Sequence, residues 1–158
     1  MSRPHAAVSD CEEIRPGLIG QPANTLSSLA FVVAAVPVAR WGRRRGHGAW
    51  KAVAAALAFE GLGSVAYHGP GGRASKAVHD VGLVALGAAM AGVEAQYRGR
   101  WRPGPLDTGL TTAAVALHTL SRTGGPLCSC RSRLQGHALF HLVAAAAVVA
   151  AAHRATHP

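Results

Sequence analysis

Five apolar stretches fill most of this chain, at residues 25–39, 49–67, 77–95, 106–121 and 134–153, separated by short segments rich in Gly, Pro and Arg. Each is near the roughly 17–25 residues that a helix needs to cross a bilayer. The pattern predicts one all-α membrane domain over residues 1–158, with a polar N-terminal tail at 1–24 and about five transmembrane helices. The first stretch is short and the fourth carries Thr111, Thr112 and His118, so these two are the weakest. An alanine-rich soluble bundle is the alternative, but a soluble helix should show a charged face, and the interior of 134–153 has no formal charge.

Charged residues make up only 15% of the chain, well below the roughly 25% of ordinary soluble domains. A net charge of +9 could suggest nucleic acid, yet the basic residues cluster in loops, as in Arg40-Trp41-Gly42-Arg43-Arg44-Arg45 and Arg98-Gly99-Arg100-Trp101-Arg102. That is the positive-inside pattern of a membrane protein, and no nucleic-acid partner is expected. The first 20 or so residues contain Asp10, Glu12, Glu13 and Arg15 and no apolar core, so no cleavable signal peptide is expected.

With five alternating crossings, the arginines directly after the first helix favour an N-terminus outside and a C-terminus in the cytoplasm. Nine basic residues then face inward against seven outward. The same alternation brings Asn24, His68, Asp80, His137 and His141 to one membrane face, the extracytoplasmic one. One helix more or fewer between His68 and His137 would leave them a bilayer apart.

His68 closes the second segment, and His137 and His141 open the fifth, four residues apart and therefore on one helical face. Three neutral imidazoles with one open position are the ligand set of a catalytic zinc site. Ser64 lies one turn before His68 on the same face, where its hydroxyl could meet a developing oxyanion. Asp80 starts the third helix and could handle a proton. Each also has a plain structural role available: serine can bond back to its own helix, and aspartate suits a helix start.

As a set, Ser64-x-x-x-His68, Asp80 and His137-x-x-x-His141 resemble the signature of the CREST superfamily of membrane hydrolases, which includes alkaline ceramidases and the progestin and adipoQ receptors. Cys11-Glu12 and Asn24-Thr25 look like elements of the alkaline ceramidases in particular. The resemblance implies a zinc-dependent hydrolase of the cell membrane that cleaves an amide bond in a lipid such as a sphingolipid, with zinc on His68, His137 and His141 and with Ser64 and Asp80 catalytic. Family members usually have seven spanning helices, so here the substrate cavity is either smaller or completed by a partner chain, for instance in a homo-oligomer.

The ceramidase resemblance also implies calcium near the N-terminus, but Ser9, Asp10, Ile14 and Gln21 depart from that pattern. Asp10, Glu12 and Asn24 leave only a degenerate Ca2+ site, and calcium is not assigned. Cys11, Cys128 and Cys130 fall on the outer face, where Cys11 can bridge to Cys128 or to Cys130; a soft-metal site is the competing use. Glu60, at i−4 from Ser64 and i−8 from His68, lies on the site-facing stripe but deeper. His79 is expected to be solvated or to support the site without binding the ion. The rival to the hydrolase is a non-enzymatic receptor or assembly protein with structural zinc, which would need a fourth protein ligand such as Asp80.

Overall fold

The computed structural model describes residues 5–44, 46–97, 100 and 102–157. Arg3, Arg45 and Arg98 of the charge argument, and Gly99 and Trp101 beside them, lie outside the described residues. Five α-helices form: α1 (Pro22–Gly42), α2 (Ala49–His68), α3 (Arg73–Gln96), α4 (Pro105–Leu120) and α5 (Gly136–Thr156). No strand occurs among the described residues, as expected of an all-α chain.

The first helix is longer than the expected 25–39. It opens at Pro22, whose missing N–H costs nothing in a first turn. The carboxylate of Glu12 takes two of the remaining free amides, accepting from Ala23 N and Asn24 N at 2.8 Å each. At 21 residues α1 joins α3 and α5 as the three helices long and apolar enough to cross a membrane. By the same measure α2, which carries Lys51 and Glu60, and α4, with only 16 residues, fall short.

The helices follow one another around an open arc in the order α3, α2, α1, α5, α4, each packed mainly on its neighbours. Small residues set the spacing. A Cβ on Gly61 would come within 2.7 Å of Val32 in α1, and one on Gly63 within 3.2 Å of the His79 Cα in α3. Such close approach of backbones is how membrane helices gain packing where lipid is as apolar as their side chains. The apolar core lies toward the end where α1 finishes and α2 begins, around Phe31, Val38, Trp50, Val53, Leu57 and Val93.

The two ends of the arc differ. At one end Arg44 donates to Thr156 O (3.2 Å), Ala49 N to Gln96 Oε1 (2.7 Å), and Arg154 pairs with Asp107 (2.8 Å), so the arginine-rich α1–α2 turn and the ends of α3 and α5 share a face. At the other end the tail folds back over the helices. Cys11 is bridged to Cys128, which settles the choice left open by the sequence, and Cys130 is a free, exposed thiol. Glu13 N also donates to Cys130 O (3.0 Å) and Cys11 N to Thr123 Oγ1 (3.1 Å), which fixes the tail to the α4–α5 loop.

Glu12→Ala removes a charged acceptor from two helix amides at once. It should destabilise the fold by about 1–3 kcal/mol, read as a lower midpoint of thermal unfolding in detergent, with Glu13→Ala, whose carboxylate pairs with the exposed Arg131, close to parent.

Candidate metal centre

His68, His137 and His141 converge at the tail-covered end, all buried, with one nitrogen from each lying within 4.8 Å of the others. Their ring centroids are 4.7–5.3 Å apart. Imidazole nitrogens sharing a tetrahedral zinc sit roughly 3.3 Å apart, given Zn–N bonds of about 2.0–2.1 Å, so small side-chain rotations would close the set. The helical spacing puts His137 and His141 on one face of α5, and α1 holds α2 and α5 so that His68 meets them.

The unused nitrogens explain how the rings are aimed. Gln21, fully buried, donates through Nε2 to Ala7 O and Glu12 O, both at 2.9 Å. These two carbonyls fix the amide, leaving Oε1 to accept from His68 Nδ1 at 2.7 Å. His68 is thereby held with its proton on Nδ1, and its buried Nε2 has no partner among the described residues. His141 Nδ1 meets Ser27 Oγ at 2.9 Å; that hydroxyl gives its own proton to Asn24 O, so it accepts from the ring. His141 is left with Nε2 as its lone-pair nitrogen. Buried His137 Nδ1 also lacks a partner among the described residues. Unpaired buried polar atoms are costly, and two of them in one cluster of imidazoles fit a bound cation.

Ser64 is fully buried, with its Oγ 2.8 Å from Ser28 Oγ. Ser28 gives its proton to Asn24 O (2.7 Å), so Ser64 is the donor in that pair and its proton is engaged between α2 and α1. Asp80 is half exposed and pairs with Lys76 at 2.6 Å. Asp80 and Lys76 line a polar cavity of about 180 Å³ together with Tyr67, His79, Arg122 and the ligand candidate His137.

His79, expected to be solvated or to support the site rather than bind the ion, lies in the α2–α3 contact with Nδ1 2.7 Å from Glu60 Oε1. Glu60 fits because α3 has a glycine opposite it; a Cβ on Gly82 would collide with Glu60 Oε2. Gln21, Ser27 and Ser28 were not singled out in the sequence as site residues. The available signal was polarity: three uncharged polar residues around the start of an apolar helix, with no charged partner in sequence.

Asp10, Glu12 and Asn24 do meet at the start of α1, where Asn24 Nδ2 donates to Asp10 O at 3.4 Å. Both Glu12 oxygens are taken by helix amides and Asp10 faces Arg122 at 3.5 Å, so these groups serve the helix start. The three cysteine sulfurs also form a group that could hold a metal ion, although two of them are bridged. The metal type at the histidine trio is not fixed by this geometry. No family model matches the chain, and neither curated proteins nor solved structures give a match.

The aiming of His68 by Gln21 has a direct test. Gln21→Leu should weaken metal binding by about 10–100-fold while the helices still form, and His68→Ala, His137→Ala or His141→Ala should each remove the ion. Competition with a chelator measures all four, and because imidazoles bind only when neutral, affinity should fall as the pH is lowered.

Proposed function

We propose that the protein is a zinc-dependent integral membrane hydrolase that cleaves an amide bond in a lipid, as in the ceramidases its motifs resemble. The observation that carries this reading is the buried trio of His68, His137 and His141, aimed by Gln21 and Ser27 and joined by no fourth histidine, cysteine or carboxylate among the described residues. Three ligands with one open position belong to catalytic zinc, whereas structural zinc is closed by four. When bound there, zinc supplies Lewis acidity toward a carbonyl and activates water near neutral pH.

The chain's own groups divide the remaining work. The trio lies between the polar cavity beside His137 and an apolar cleft bordered by Phe31 and Phe140, whose rings pack on His141 at 5.6 and 5.3 Å. A lipid can place its chain in the cleft and its polar end toward the cavity. Ser64 is assigned the oxyanion contact, which requires its hydroxyl to turn from Ser28. Asp80, at the rim of the polar cavity, is assigned proton transfer. The site is assigned to the extracytoplasmic face of the cell membrane, with α2 and α4 spanning beside the three more apolar helices.

One observation favours a non-enzymatic membrane protein instead: the engaged proton of Ser64 gives that residue a sufficient structural role in joining α1 to α2. The two readings part in the mutants. Under the hydrolase reading Ser64→Ala keeps metal and folded yield but loses turnover of an N-acyl sphingoid lipid by roughly 10²–10³-fold. Asp80→Asn likewise keeps its metal and loses activity. Parental turnover in both variants would remove the assigned roles, and loss of metal from Asp80→Asn would favour a structural ion.

A further inference from the structure

We infer that the cleft between α3 and α4 is a lipid-chain site in which Glu60 selects a chain bearing a hydroxyl group. The inference deepens the lipid-hydrolase reading and rests on it for the nature of the ligand.

α3 and α4 are the two ends of the helical arc, so no helix closes the space between them. That space is a cavity of about 380 Å³, lined by Phe31, Leu86, Gly87, Ala114, Phe140 and Glu60, with further apolar side chains and Thr111, whose hydroxyl donates to Asp107 O in its own helix. Its size and its apolar wall with one polar anchor match the common form of small-molecule sites, about 300–1,000 Å³. The flanking faces are apolar and open, with Val84 72% and Val115 60% exposed, so a chain in the surrounding lipid can enter sideways. Gly87 faces free space: a Cβ there would meet nothing within 4 Å.

Glu60 gives the cleft its chemistry. The residue is 1% exposed, with Oε1 matched to His79 while Oε2 has no hydrogen-bond partner among the described residues. A buried acceptor without a donor is costly, and the one other polar side chain among the described lining residues, Thr111, gives its proton to Asp107 O. The position along α2 restricts the donor further. Glu60 comes eight residues before His68, roughly 12 Å along the helix axis. A lipid whose reacting group lies at the three histidines therefore reaches Glu60 with its chain. A hydroxyl on that chain is a neutral donor that fits: His79 already faces Oε1, which leaves Oε2 as the one open acceptor position among the described residues.

The test uses the full-length protein in nanodiscs and measures equilibrium binding of methyl stearate against a positional series of methyl hydroxystearates. At least one hydroxylated isomer should bind the parent about tenfold more tightly than methyl stearate, the gain expected of a hydrogen bond to a charged acceptor. Glu60→Leu should abolish that preference. Glu60→Gln, which keeps the side chain's size and its contact to His79 but loses the charge, should reduce it. Gly87→Phe, which fills the cleft from an open position, should weaken every probe by tenfold or more. The proposal is overturned if no isomer is preferred by the parent, or if Gly87→Phe binds all probes as the parent does. Binding needs no metal, so the series is repeated on metal-free His137→Ala: retained preference there, with no lipid amide hydrolysed by the parent, would sink the catalytic reading alone.

Discussion

The contact between the Gln21 amide and His68 Nδ1 is the one on which the rest of this arrangement depends. An apolar bundle gives a histidine trio no reason to point inward; left alone, three buried imidazoles are a desolvation cost without return. Gln21 changes that by spending its own N–H groups on Ala7 O and Glu12 O, which forces its oxygen toward His68. The same short tail is held by Glu12 at the start of α1 and by the Cys11–Cys128 bridge to the loop before α5. Orientation of one ring, the start of one helix and the placement of another are therefore parts of a single polar network. Satisfied polar networks rigidify a core, and among the described residues this one leaves His68 Nε2 and His137 Nδ1, and also Asn24 Oδ1, without a partner.

A division of labour between the two ends of the bundle follows. The arginine-rich end holds the apolar core and the Asp107–Arg154 pair, and the opposite end holds the buried histidines with Gln21, Asn24, Ser28 and Ser64. Between them the arc stays open at α3 and α4, where the sequence supplies Gly87 and no helix that could close it. In the proposed function, the unclosed side between α3 and α4 is where a lipid would reach the histidines.

Hydrophobic periodicity and residue spacing made much of this legible in the sequence. The five helices fall on the five apolar stretches, and the count of alternating segments correctly put His68 with His137 and His141. Helix ends were less legible because the features that set them are tertiary. α1 starts at Pro22 because Glu12, ten residues earlier, folds back to cap it. The length of the fourth stretch was legible: α4, at 16 residues, keeps the expected extent and, like α2, does not reach the measure met by α1, α3 and α5. The partners of the histidines were hidden for the same reason: Gln21 and Ser27 act across helices, and spacing within one segment carries no trace of it. His79 shows the point most plainly. Only the α2–α3 contact, with glycines at Gly63 and Gly82, brings it onto Glu60 while Asp80 turns to Lys76.

X-ray absorption at the zinc edge, on protein purified in detergent and loaded with one equivalent of zinc, tests the central claim most directly. The expected spectrum has three imidazole nitrogens at about 2.0–2.1 Å, a remaining oxygen and no sulfur, with the imidazole signal lowered in Gln21→Leu. A sulfur shell, or a spectrum of four protein ligands that is unchanged in His68→Ala, would contradict it.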